Sequence, residues 1–397
     1  MGLSRRLVCL AVLSALCGPA LSTDHTASAQ EAQPPSASAD QGGAGAAVTE
    51  SAAAPLEPAF ASWQTLGLMR VRDMTPFGMN RLDMLPAHAV AATPRTFAFE
   101  FNLTYQNTWA LSENVEEYLE ERNVERGALT QVDLQNILSM PGEAYLVDGE
   151  YGLVDLTLHY RMSSHWGLYA TIPYYFFGGG TLDSTIESFH DTVGFSNAGR
   201  TFVPRNQFQA VVKLQGAQLL MNAPPQNDLG DPVLGARYSL FDRPREWNLI
   251  VETALKVPLK DQERLVSTGE ADLGLQVSYQ RFFERNALYL TLAGVYVGGF
   301  DPAIADDAIV PTVIAGWETR LSQRTNLILQ AYWSESVVTE TELEELSADK
   351  LQATLGVQWL FRDAVLRLGV TENLANFNNT PDVGVTLSFA KAFFGHD

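Results

Sequence analysis

The sequence predicts an all-β protein: a transmembrane up-and-down antiparallel β-barrel of about 12 strands with short helices in its extracellular loops. Three observations carry this. From Arg95 onward, apolar and polar residues alternate in segment after segment. The connections between these segments are short and long by turns. Large aromatic residues gather beside the short connections.

The chain begins differently. Arg5 and Arg6 precede an apolar run, and Cys-Gly-Pro-Ala-Leu-Ser follows it, so residues 1–22 read as a secretory signal. Ala20-Leu21-Ser22 fits cleavage before Thr23, and Ala27-Ser28-Ala29 offers a second place. Ser4-Arg5-Arg6 only superficially matches a twin-arginine signal, and Leu16 is too large for acylation of Cys17. Cys9 and Cys17 both lie inside the signal, which excludes a disulfide framework and thiolate chemistry from the exported chain. The formal net charge of -20 argues against nucleic acid as a partner.

Residues 23–62 are rich in Ala, Ser, Gln and Pro and read as a disordered linker. The segment 63–93 is irregular, broken by Pro76 and Pro86, yet carries Leu66, Leu68, Met69, Met74, Phe77, Met79 and Leu85. These are too many anchors for a free tail, so the segment is a candidate periplasmic hatch. Arg70, Arg72, Pro76, Phe77 and Arg81 are its marked residues. The three arginines are expected to meet the inward carboxylates Glu100, Asp155 and Asp272. The alternative is a periplasmic arm that binds a partner.

The barrel is expected over 94–397. Phe97, Phe99, Phe101, Leu103 and Tyr105 alternate with Ala98, Glu100, Asn102 and Thr104. Val154, Leu156, Leu158 and Tyr160 alternate with Asp155, Thr157, His159 and Arg161. Trp166, Leu168, Ala170 and Ile172 begin the next strand, and Leu234, Ala236 and Tyr238 flank Arg237 in another. Leu249, Val251 and Leu255 oppose Glu252 and Lys256. The stretch DLGLQVSYQRF sets Leu273, Leu275, Val277 and Tyr279 against Asp272, Gln276, Ser278 and Gln280. Leu288, Leu290 and Leu292 follow; then Val313, Ala315 and Trp317 face away from Glu318 and Arg320. Leu327, Leu329, Ala331 and Trp333 come next, and Leu351, Ala353, Leu355, Val357 and Trp359 oppose Gln352, Thr354 and Gln358. Leu366, Leu368 and Val370 oppose Arg367, and Val383, Val385, Leu387 and Phe389 end the series. Residues 207–222 are either two further membrane strands or a loop hairpin. No stretch after the signal has the roughly 18 consecutive apolar residues of a membrane helix.

Alternation alone does not say which face is inside. The connections 163–165, 242–246, 284–285, 322–324 and 362–363 are short, whereas 110–142, 178–228, 258–269, 300–308, 338–348 and 375–380 are longer. Short periplasmic turns alternating with long outer loops are the outer-membrane pattern. Tyr160, Trp166, Tyr238, Trp247, Tyr279, Trp317 and Trp359 all sit on the apolar face near the short turns, as at a membrane interface. The leucines therefore face lipid, and Glu100, Asp155, His159, Arg161, Arg237, Glu252, Lys256, Asp272, Glu318, Arg320 and Arg367 line the lumen. The expected address is the outer membrane of a Gram-negative bacterium, in contact with its lipids.

The last strand, DVGVTLSF, resembles the signal read by the outer-membrane barrel assembly machinery, with Asp382, Gly384, Leu387 and Phe389 in the matching places. AKAFFGHD follows it, so the strand does not end at its aromatic residue. The segment FFGGGTLDSTIESFHDTVGFSNAGRTFVPRNQF, together with RVRDMTPFGM, resembles a bacterial family of uncharacterised outer-membrane barrels catalogued only as a domain of unknown function. The resemblance covers roughly 66–393 and implies a barrel and an outer-membrane address. It supplies no substrate and no catalytic residues.

Candidate chemistry is sparse. His190 and Asp191 fit a short helix over the barrel mouth, with Leu182, Ile186 and Phe189 on one face. His159 has no evident serine partner outside the turn residues Ser163 and Ser164. The acidic run after Ser112 lacks the calcium-loop pattern and reads as a solvated helix. No metal site, catalytic residue or cofactor is expected. A narrow passive channel for small solutes is the leading reading. A closed structural or surface-interaction barrel comes second and an outer-membrane hydrolase third.

Overall fold

The computed structural model describes residues 66–87, 94–194, 196–214, 217–241, 246–263, 265–299, 308–362, 364–376 and 379–394. The signal, the linker and residues 88–93 lie outside the described residues.

The alternating segments form long antiparallel strands. β1 (Thr96–Leu111), β2 (Ala144–Arg161) and β3 (Trp166–Gly178) come first. Three shorter strands follow: β4 (Gln209–Leu214), β5 (Ala217–Met221) and β6 (Asp228–Leu229). β7 (Val233–Ser239), β8 (Trp247–Lys256), β9 (Asp272–Phe282), β10 (Asn286–Tyr296) and β11 (Ile309–Arg320) continue the series. β12 (Thr325–Ser334), β13 (Lys350–Phe361), β14 (Ala364–Ala375) and β15 (Val383–Phe394) complete it. Each long strand pairs with its neighbours in sequence, β3 pairs with β7, and β1 pairs with β15, so the wall closes with twelve strands. Closure leaves no edge to template pairing with another chain.

The strand Asp272–Phe282 shows which face is inside. Leu273 and Leu275 are 54% and 59% exposed, while Asp272 and Gln276 are fully buried. The same polarity recurs around the wall, with Leu158, Leu168, Leu234, Leu292, Leu355 and Leu368 exposed. An apolar surface this continuous is the lipid belt of a transmembrane barrel. Beside the short turns, rings meet in pairs: Phe97 on Tyr160 at 4.6 Å, Trp166 on Tyr238 at 5.0 Å and Phe241 on Trp247 at 4.7 Å.

Residues 207–222 are not wall strands. β4 and β5 form a hairpin on the loop-ward extension of β2, in the register Ala144↔Lys213 to Asp148↔Gln209. Two helices, α1 (Glu113–Arg122) and α2 (Gln131–Ser139), bury Val115, Leu119, Leu134 and Ile137 against Trp109, Leu146 and Val211. The acidic run is therefore α1, polar on its outer side. Thr130 and Asp133 form a capping box at α2. In α3 (Asp183–Val193), Ile186 is buried but Phe189 is 48% exposed, so the expected apolar stripe only partly faces the mouth. α4 (Glu344–Ser347) is one short turn in a later loop.

Candidate functional site in the lumen and at its mouth

Residues 66–87 contain no strand or helix, yet they are almost wholly buried. Their partners come from β1, β2, β8, β9, β11, β12, β13 and β14. Only a segment inside the barrel reaches so much of its circumference.

Its path follows from those partners. The N–H groups of Leu66 and Gly67 donate to Glu318 at 2.8 and 3.2 Å. Gln358 donates to the Gly67 carbonyl, and Arg367 donates to the Leu66 carbonyl at 3.0 Å. Gln330 takes the N–H of Met69 at 2.8 Å and returns a bond to its carbonyl at 3.2 Å. Arg70 reaches Glu100 at 3.2 Å, and Arg72 reaches Asp155 at 3.2 Å. Lys350 binds Asp73, Tyr175 donates to the Met79 carbonyl at 3.1 Å, and Lys256 donates to the Asn80 carbonyl at 3.1 Å. The descent follows β9: Leu82 N–H to Asp272 at 2.7 Å, Gln276 to the Leu85 carbonyl at 3.0 Å, and Gln280 to the Ala87 carbonyl at 3.0 Å. Glu318, Gln358 and Gln280 stand near short turns, whereas Lys350, Lys256 and Asp272 stand next to long loops. The segment thus rises from the short-turn end, reverses beneath the long loops and returns. Wall side chains supply the bonds that a β-ladder would otherwise give its backbone.

Shape complements this polar grip. Inward-facing glycines in the wall leave hollows for apolar side chains of the segment. A Cβ on Gly274 would stand 2.4 Å from Met84 Sδ, one on Gly316 would stand 2.4 Å from Leu68 Cδ2, and one on Gly369 would stand 2.9 Å from Met69 Cε. The sequence carries this signal as glycines at lumen-facing positions among Gln and Thr, a sign easily read as mere strand irregularity.

The structure brings Arg70 to Glu100 and Arg72 to Asp155. It does not bring Arg81 to Asp272. Arg81 donates to Tyr332 at 3.0 Å and to Ser334 at 3.3 Å, and lies 4.0 Å from Asp73. Asp272 instead pairs with Lys256 at 2.9 Å. Within the wall, Arg237 pairs with Glu252 at 2.7 Å, Arg367 approaches Glu100 at 3.5 Å, and His159 meets Glu100 at 3.1 Å. Arg161 and Arg320 lie at the short-turn rim, where they donate to the carbonyls of Ser163, Ser164 and Ser322. Glu318 is met by Tyr289 at 2.5 Å and Asn326 at 2.6 Å, besides the two N–H groups. Asp73, Asp83, Gln330, Tyr332 and Lys350 belong to the same network; alternation puts Gln330 and Tyr332 on the inner face but does not say what they meet.

The inner face is not polar along its whole height. On β2 it carries Asp155, Thr157 and His159 toward the short turns, but Tyr145, Val147, Tyr151 and Leu153 toward the long loops. These join Met74, Phe77, Met79, Tyr175, Phe177 and Phe208 in one apolar cluster. The expectation of a uniformly polar lumen is corrected there. In the upper part of β2 the charged residues Asp148 and Glu150 lie on the opposite face from these apolar side chains, so its pattern does not continue the polar-inward alternation of the lower part.

Above the mouth, the long-loop motif residues lock one another. Arg200 donates to Asp183 at 2.9 Å and Asn107 at 3.1 Å, contacts Asp382, and lies 5.5 Å from the Trp109 ring centre. Asp382 thus anchors a loop just before β15. Gly384 lies on the inner side against Gln106, Leu387 and Phe389 are exposed on the outer side, and β15 continues to Phe394. Glu150 accepts the N–H groups of Thr181 and Leu182 at 2.8 and 2.6 Å; Gly180, at φ +104°, leaves no room for a Cβ beside that carboxylate. Glu187 binds Arg126 at 2.7 Å and also Arg205. Burial pushes its pKa upward, but the two arginines outweigh burial and hold it below the usual range. Asp191 accepts from Asn197 at 3.1 Å.

A closed transmembrane barrel of twelve strands, occupied by its own N-terminal segment, is the class of protein that this geometry defines. Residues 122–393 match the family described as "Protein of unknown function (DUF3187)", and the chain belongs to that family. No curated protein matches it. Among solved structures, an outer membrane channel from Pseudomonas putida F1 is similar at 10% identity and a TM-score of 0.47, over 78% of this chain and 100% of that one. The P. putida toluene transporter TodX is similar at 11% identity and a TM-score of 0.38, over 77% of this chain and 92% of that one. The NanC porin is similar at 7% identity and a TM-score of 0.37, over 62% of this chain and 94% of that one. All three scores are too low to carry a solute from one barrel to another.

Proposed function

We propose that the protein is a narrow passive channel for small solutes in the outer membrane of a Gram-negative bacterium, closed at rest by residues 66–87 acting as a hatch. One observation carries this reading. The filler of the lumen is a separate segment, while much of the wall behind it is hydrophilic. Thr104, Gln106, Gln276, Ser278, Gln330, Thr354 and Gln358 are all buried on the inner face. A barrel closed permanently by its own wall has no need of such a surface; one that fills with water when the segment leaves does. An even strand number and short turns beside both chain ends support entry of the hatch from the periplasm. The outer leucines then contact lipid, and Asp382, Gly384, Leu387 and Phe389 offer the assembly machinery its signal.

Planar-bilayer recordings of the refolded full chain and of a variant lacking residues 63–93 test this. The variant is expected to give discrete conductance steps, and the full chain only rare ones. If neither conducts at any voltage, the channel reading fails and the closed structural barrel stands in its place.

A further inference from the structure

Between the tip of the inner segment and the β4–β5 hairpin lies a cavity of about 350 Å³. Phe77, Val147, Tyr151, Ala210 and Leu219 give it an apolar side; Gln218, Gln262, Ser267 and Thr268 give it a polar one, and Asn80 stands at the segment tip. This volume falls within the range of small-molecule sites. Two buried polar atoms on its lining have no hydrogen-bond partner: the Tyr151 hydroxyl and Asn80 Oδ1. Buried polar groups are ordinarily satisfied, so two orphans among the lining residues of one cavity point to a ligand's polar group. Asn80 Oδ1 accepts only; the tyrosine hydroxyl both donates and accepts. A ligand hydroxyl suits either one, as donor to Asn80 or as acceptor from Tyr151. No lysine or arginine is among the described lining residues, and the carboxylate present is Glu263, which pairs with Lys260 at 3.3 Å. Nothing there compensates an anion.

We infer that this cavity is a binding site for a small, uncharged, amphipathic molecule with an apolar body and one hydroxyl, held against the tip of the inner segment. The site concerns binding at the mouth and stands whether or not the lumen conducts.

The test uses the refolded full chain in amphipol and calorimetric titration with para-butylphenol, butylbenzene and para-butylbenzoate. The phenol is expected to bind saturably, and the other two roughly tenfold more weakly, the scale of one net hydrogen bond or an uncompensated charge. Tyr151→Phe should remove most of the preference for the phenol over butylbenzene. Ala210→Trp should fill the cavity and abolish saturable binding of all three. Each variant is checked for folding by its gel shift on heating, and Leu219→Trp replaces Ala210→Trp if that variant does not fold. No saturable binding by the wild type, equal affinity for phenol and butylbenzene, preference for the benzoate, or binding that survives the filled cavity would each overturn the inference.

Discussion

Near the short turns, the inner segment lies against Glu318, Gln330, Gln358, Glu100 and Asp155. Near the long loops, its tip lies among Tyr145, Val147, Tyr151 and Tyr175. The first contact is directional: wall side chains answer particular backbone groups or a guanidinium. The second is chiefly apolar packing, which favours burial without fixing a register, joined by a few polar bonds such as that from Tyr175 to the Met79 carbonyl. The difference shows how one segment is both drawn in and aligned. Packing at the tip supplies the drive, while polar pairs along the arms specify which residue lies where. Those pairs add little net stability, because a buried ion pair roughly balances its own desolvation, but leaving one charge alone is costly.

Breaking one side of each region separates the two roles, beginning with the largest expected effect. Arg72→Met leaves Asp155 buried without its partner and should weaken docking of the segment by about 3–5 kcal/mol. Limited proteolysis in detergent should then cut within 66–87. Adding Asp155→Leu should restore most of the protection, and no restoration would mean that the pair is not an isolated unit. Phe77→Ala at the tip should also cost about 3–5 kcal/mol through lost packing. Here no single wall substitution should compensate, which is what distinguishes packing from pairing.

Leu275→Arg moves the test to the outer face. A charge against hydrocarbon should cost about 2–4 kcal/mol of barrel stability, read as folded yield on a heat-shift gel. Gln276→Leu, one residue away, should cost about 1–3 kcal/mol, because the buried Leu85 carbonyl loses its donor. Equal folded yields would place the faces the other way round.

The smallest effect expected is at Glu187, above the mouth. Its pKa is held low, so its contribution is complete above the ordinary carboxylate pKa of about 4.3 and is lost as pH falls through the lowered value. Proteolysis of the loop 183–208 should quicken in acid while the barrel stays folded. Glu187→Gln should remove that pH dependence. A loop equally resistant at every pH would show that the two arginines do not hold it.

Much of the architecture was legible because it is local. A period of two residues states that each strand has two unlike faces, and loop lengths with turn aromatics state which face meets lipid. Arg70 and Arg72 were legible as partners of inward carboxylates because an exposed arginine-rich tail has no reason to carry so many methionines and leucines. Arg81 was not, since three inward carboxylates are equivalent until the segment's turn is placed. The hairpin at 209–221 was ambiguous for the same kind of reason. Its strands satisfy the alternation rule, and only the length of β2 beyond β3 gives them an edge to pair with.

The sequence by itself determined a closed barrel, its strands, its lipid face and an N-terminal segment too apolar to remain in water. Tertiary structure decided that the segment doubles back inside the lumen, that glycines 274, 316 and 369 are its hollows, and that the mouth holds a cavity. The reason is range. Alternation and turn length act between neighbours, whereas Met69 meets Gln330 across 261 positions. Closing the sheet creates an interior that no local pattern describes, and what fills it is settled by which distant groups leave fewest polar atoms unpaired.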